Sequence, residues 1–115
     1  MNKTILAIDD DEAVLAFYKA ALAGLGAVRL APGMREARAQ LDGVDLILLD
    51  FDLAHDDETF QELVPELRKV APVLLCSAIQ DERIPTLGKL LGIAGYWNKG
   101  DGLEALHALV RAELH

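Results

Sequence analysis

The chain has 115 residues, 52% hydrophobic and 26% charged, the length and composition of one globular domain able to bury its own core. Its net charge of −8 argues against direct nucleic-acid binding, which needs a basic surface to neutralise phosphates. No apolar run approaches the roughly 18 residues of a membrane span, and Met1-Asn2-Lys3 leads straight into a strand, leaving no room for a signal sequence.

The first strand is predicted from Thr4 to about Asp9, where Ile5-Leu6-Ala7-Ile8 runs into Asp9, Asp10 and Asp11. Asp11 and Glu12 suit the first turn of a helix, whose dipole favours acid there. Val14, Leu15, Tyr18, Leu22 and Leu25 give that helix one packed face, and Gly24 and Gly26 are expected to stop it. A short strand over Ala27 to Ala31 and a turn at Pro32-Gly33 follow. Met34, Ala37 and Leu41 then mark a brief second helix closed by Asp42-Gly43.

The central strand comes next. Leu46-Ile47-Leu48-Leu49 is apolar without alternation, as expected of a strand buried on both faces of a parallel sheet, and it ends on Asp50. The polar stretch from Asp52 to Glu58 reads as a loop. A third helix takes Phe60, Leu63, Val64 and Leu67 inward, with Pro65 implying a kink or a late helix start. Pro72 opens a fourth strand, Val73-Leu74-Leu75-Cys76, which ends on Ser77. The lone Cys76 can make no internal disulfide and reads as a small buried hydrophobe. A loop from Ser77 to Arg83 leads to a helix that starts near Pro85, runs through Leu87, Leu90 and Leu91, and ends at Gly92. The fifth strand, Ala94 to Asn98, ends on Lys99, and Leu103, Leu106, Leu109 and Val110 give the last helix its buried face.

Strand and helix thus alternate five times, which predicts an α/β fold with a parallel sheet, right-handed crossovers and helices on both faces. Such sheets bind ligands at the carboxyl ends of their strands. Four strand ends here carry carboxylates, a hydroxyl and an ammonium. Asp9 to Glu12 alone would be an acidic helix start, Ser77 alone a serine bonded to backbone, Lys99 alone a surface lysine. Their convergence on one rim points instead to a divalent cation and a phosphoryl group. Asp9, Asp10 and Asp50 offer the hard oxygen ligands that suit Mg²⁺. His55, His107 and His115 are scattered and Cys76 is single, which argues against zinc or a redox metal. A carboxylate such as Asp50 can also attack phosphorus to give an acyl phosphate, with metal, Lys99 and Ser77 serving the phosphoryl oxygens.

The segments Ile5-Leu6-Ala7-Ile8-Asp9-Asp10-Asp11, Leu46-Ile47-Leu48-Leu49-Asp50, Ser77-Ala78 and Gly95-Tyr96-Trp97-Asn98-Lys99 together resemble the receiver domain of two-component response regulators, over essentially residues 1–115. The resemblance implies a doubly wound, flavodoxin-like (βα)5 fold with strand order 2-1-3-4-5. It implies that Asp50 accepts a phosphoryl group from a histidine kinase or phosphotransfer protein, in a signalling domain rather than an enzyme. Asp9 and Asp10 match the acidic pair for Mg²⁺, with Asp10 the direct ligand and Asp9 acting largely through water. Asp52 matches the position whose backbone carbonyl completes the metal site. Ser77 matches the switch hydroxyl, with small Ala78 leaving access beside it. Lys99 matches the phosphoryl-binding lysine and Tyr96 the switch aromatic, although Tyr96 equally suits a half-buried strand position.

Three positions depart from the family pattern: Ala54 and Gly100 stand where proline is usual, and Glu58 where glycine is. A cis bond before a non-proline residue costs about 2.5–4 kcal/mol, so the Lys99–Gly100 peptide is predicted to be trans. Two other readings compete with this one. Asp50-Phe51-Asp52 resembles the Asp-x-Asp motif of haloacid-dehalogenase-type phosphatases, but there the motif follows the first strand. A pseudo-receiver binding module that signals without phosphorylation is the other. The expected output is protein contact, by homodimerisation or docking of a target, through the fourth helix, fifth strand and fifth helix around Leu87, Leu91, Tyr96, Trp97 and Leu106. The chain suits either a stand-alone receiver or one domain of a longer protein, and a cytoplasmic location is expected.

Overall fold

A computed structural model describes residues 2–53 and 59–114. Five strands, β1 (Thr4–Ile8), β2 (Ala27–Ala31), β3 (Leu46–Asp50), β4 (Val73–Ser77) and β5 (Gly95–Asn98), alternate with five helices. The helices are α1 (Glu12–Leu22), α2 (Met34–Arg38), α3 (Phe60–Arg68), α4 (Arg83–Leu91) and α5 (Leu103–Glu113). All pairings are parallel and the sheet order is β2-β1-β3-β4-β5. The expected doubly wound architecture is therefore the one observed.

Alternate residues of the central strands enter two separate cores. Leu6, Ile8, Ile47, Leu49, Val73 and Leu75 pack with Met34 and Ala37 of α2, Leu63, Val64 and Leu67 of α3, and Ile84 of α4. Ile5, Ala7, Leu46, Leu48, Leu74, Cys76 and Trp97 pack with Leu15, Tyr18 and Leu22 of α1 and Leu106 and Val110 of α5. Both faces of β3 are covered, which is why its sequence shows no polar alternation. Each large apolar side chain so buried contributes about 1.5–3 kcal/mol.

Several local expectations are revised. The helix α1 ends at Leu22, before either glycine. Gly26 has another role: a Cβ there would lie 2.5 Å from the carbonyl oxygen of Lys3, where the chain enters β1. The helix α2 stops at Arg38, short of Leu41. Pro65 delays nothing, for α3 begins at Phe60 and continues through it. Its missing N–H falls on the solvent side, opposite Leu63, Val64 and Leu67. Leu103 is exposed rather than buried, because the first turn of α5 extends beyond the core that Leu106 and Val110 enter. Gly92 ends α4 as expected, in the left-handed conformation at φ 83°, with its N–H capping the helix.

The surface predicted across α4, β5 and α5 also changes. Trp97 and Leu106 are core residues beneath α1 and α5, so neither adds to the surface of α4, β5 and α5. Leu91 and Tyr96 are half-buried on the opposite core. The exposed apolar positions on α4 are Leu87 and Leu90, because Ile84 and Gly88 take the inward face. Among the described residues, no helix is long and apolar enough to cross a membrane. The loop positions Ala54, His55 and Glu58 lie outside the described residues.

Candidate functional site

Chain connections diverge at β1, which has β2 on one side and β3 on the other, and this is where a doubly wound sheet opens a crevice. Asp9 follows β1, Asp50 ends β3, and Lys99 follows β5. The three consecutive acids after β1 divide their tasks. Asp11 caps α1, its carboxylate accepting from the N–H groups of Ala13 (2.8 Å) and Val14 (3.4 Å). Asp9 turns inward to 1% exposure, one oxygen accepting from the Asp11 N–H at 2.9 Å. Asp10 is half-buried between them.

Carboxylate oxygens of Asp9, Asp10 and Asp50 lie within 4.8 Å of one another. Lys99 bridges two of these groups, its Nζ donating to Asp9 Oδ2 at 2.7 Å and to Asp50 Oδ1 at 3.2 Å. Asp50 is 4% exposed and also accepts from the backbone N–H of Asp52 at 3.3 Å. Burial, reinforced by the charge of Asp9, raises the pKa of Asp50 above the ordinary carboxylate range, although Lys99 and the Asp52 N–H pull the other way. Burial opposes the charge on Lys99 too, but its hydrogen bond to Asp9 and the charges of Asp50 and Asp9 outweigh that and raise its pKa. Three clustered carboxylates thus gather around the ends of β1 and β3. An all-oxygen donor set of this kind fits a hard divalent cation.

The remaining predicted residues surround this centre. Asp52 is exposed, so its side chain faces away from the site while its backbone borders Asp50. Ser77 is fully buried at the end of β4, one residue past the Asp50–Cys76 pair, and its Oγ accepts from the Ile79 N–H at 3.0 Å. The Tyr96 hydroxyl donates to the Ile79 carbonyl at 3.2 Å. Lys99 opens a 3-10 turn, Lys99–Asp101, and the Lys99–Gly100 peptide is trans, as predicted.

Two features were not anticipated. The Tyr18 hydroxyl is buried against the Cys76 thiol, and burial raises the pKa of both, Cys76 to about 12. Cys76 is therefore an inert core thiol. Phe17 stacks on Trp97 with ring centroids 6.1 Å apart. With Val14 and Leu103, they line an open apolar groove of about 320 Å³ that reaches Lys99. Helical spacing had marked Val14 and Leu103 for the core, and only the packing of α1 beside α5 exposes this groove.

The fold is that of response regulator receiver domains. The beryllium-fluoride-activated DrrB receiver domain of Thermotoga maritima superposes with a TM-score of 0.88 at 24% identity, covering 99% of this chain and 98% of that one. A two-component response regulator from Clostridium difficile gives 0.85 at 26% identity, covering 97% and 95%. A chemotaxis protein of Vibrio cholerae gives 0.82 at 24%, covering 99% and 100%. No family model and no curated protein matches the sequence.

Proposed function

We propose that residues 1–115 form one receiver domain that accepts a phosphoryl group on Asp50. The observation carrying this reading is the placement of Asp50 against Lys99 and within a cluster of three carboxylates, at the mouth of the sheet. Mg²⁺ is the cation this donor set would take; Asp10, Asp50 and the Asp52 carbonyl would hold it, with Asp9 acting largely through water. When bound, it would neutralise charge on the phosphoryl oxygens.

An Asp50 carboxylate oxygen attacks the phosphorus of a phosphohistidine on a kinase or phosphotransfer protein. The new O–P bond forms as the P–N bond breaks, and the imidazole leaves with the electron pair. Lys99 favours the ionised form of Asp50 and would stabilise the charge of the transferred group. Ser77 then turns its hydroxyl toward a phosphoryl oxygen, and Tyr96, tied to the same loop through Ile79, responds. The open groove beside Lys99 suits the approach of a donor protein's helix face. Output passes through the α4–β5–α5 side, where Leu87 and Leu90 are the available apolar contacts.

The test is intact mass after incubation with acetyl phosphate, with and without Mg²⁺. A single Mg²⁺-dependent phosphoryl adduct, absent in Asp50→Asn, is expected. No adduct from acetyl phosphate or a kinase donor would leave the phosphorylation-independent binding module as the better reading.

A further inference from the structure

The Ser77 loop and the Lys99 turn are joined by a side chain with no role so far. Asn98 is 6% exposed at the end of β5. Its Oδ1 accepts from the Gly100 N–H at 2.9 Å, and its Nδ2 donates to the Ile79 carbonyl at 3.2 Å. Only this amide orientation satisfies both partners, since one is a donor and the other an acceptor. The first bond needs a backbone N–H at residue 100; proline there would remove it. The Ile79 carbonyl accepts from the Tyr96 hydroxyl as well, while the Ile79 N–H donates to Ser77 Oγ. A continuous chain of bonds therefore runs from Ser77 through Ile79 and Asn98 to the turn that carries Lys99.

We propose that Asn98 is a positioning residue, a latch that holds the Ser77 loop against the Lys99 turn in the resting state. The inference rests on the phosphoacceptor reading. When the Ser77 hydroxyl swings toward a phosphoryl oxygen on Asp50, it draws Ile79 with it, because the Ile79 N–H is bonded to that hydroxyl. The Ile79 carbonyl then leaves Asn98. Asn98 thus adds to the free energy that activation must overcome, and it does so without touching the phosphoryl group.

The discriminating variant is Asn98→Ser. A serine hydroxyl at this position can still accept from the Gly100 N–H two residues on, and so preserve the Lys99 turn. It has no donor long enough to replace Nδ2 at Ile79. With beryllium fluoride in saturating Mg²⁺ as the phosphoryl stand-in, Asn98→Ser is expected to bind about fivefold more tightly than wild type, the effect of one neutral hydrogen bond lost from the resting state alone. Affinity for Mg²⁺ alone should not change. In ¹⁵N spectra without ligand, the Ile79 amide signal of the variant should lie part-way along the line joining its free and bound positions in wild type, as a population shift requires. A merely structural role would not move it along that line.

Tyr96→Phe, which removes the other donor to the Ile79 carbonyl, provides the same spectral test should Asn98→Ser fold poorly. Unchanged or weaker beryllium fluoride binding by Asn98→Ser, or an Ile79 signal displaced off the line in either variant, would overturn the latch. If the wild type itself binds no beryllium fluoride, the phosphoacceptor reading fails and the latch with it.

Discussion

Replacing Lys99 by methionine keeps the length of the side chain and removes its charge from between two buried carboxylates. Asp9 and Asp50 are 1% and 4% exposed, and both lie against the Lys99 ammonium. Removing one partner of a buried ion pair costs about 3–5 kcal/mol. Lys99 itself is 19% exposed, so water screens part of the interaction and the lower end applies. Unfolding entropy of about 2.1 cal/mol/K per residue, over 115 residues, makes 1 kcal/mol worth about 4 °C in Tm. Lys99→Met should therefore melt about 12 °C below wild type at pH 7–8 with chelator present.

The pH dependence has a definite sign. The folded-state pKa of Asp50 is raised, so folding favours its protonated form, and its ionisation penalises the native state as pH rises through that raised value. The penalty grows when Lys99 is gone. The gap between variant and wild type should thus be widest near neutrality and narrow as pH falls through the raised pKa of Asp50. Lys99, whose pKa is also raised, contributes its share to the wild type at all pH values below the ordinary lysine range. Calorimetry from pH 4 to 8 measures all of this. Lys99→Met melting with wild type at pH 8 without divalent cations would refute the claim that Lys99 offsets repulsion between the buried Asp9 and Asp50 carboxylates.

Four further outcomes follow from the same packing. Mg²⁺ at one hundred times its Kd should stabilise wild type by about 2.7 kcal/mol, some 11 °C, and Asp50→Asn by much less; equal shifts in a thermal melt would place the cation elsewhere. Gly26→Ala puts a Cβ 2.5 Å from a backbone oxygen that cannot yield without moving the start of β1, and urea denaturation should show a loss of about 1–3 kcal/mol. Leu48→Ala, at a fully buried position in β3, should cost about 2–5 kcal/mol in the same assay. Leu90→Ser, at 80% exposure, should stay within about 0.5 kcal/mol of wild type; a large loss there would mean that α4 packs differently.

The order of elements and the identity of the chemical residues were legible in the chain because both are local properties. An apolar run of strand length ending on Asp50 carries its own evidence of double burial, and helical spacing identified Leu15, Tyr18 and Leu22 correctly. The same spacing misplaced Leu103 and could not separate Leu87 and Leu90 from core positions. Periodicity records which residues share a face, not where along that face the neighbouring layer begins. Trp97 was placed at the docking surface for a related reason: alternation along β5 shows that Tyr96 and Trp97 point oppositely, but not which side is covered more deeply.

Tertiary structure alone decided the pairings across distant segments. Residues 9, 50 and 99 meet because three parallel strands end on one rim, and no local pattern reveals that Lys99 spans both Asp9 and Asp50. Asn98 had a local signal, an asparagine two residues before a glycine, which favours a side-chain-bonded turn. Its second bond, to Ile79 nineteen residues away, depends on how the loop after β4 folds over the end of β5. The sequence by itself determined which groups could do the chemistry; the packing of strands and loops decided which of them touch.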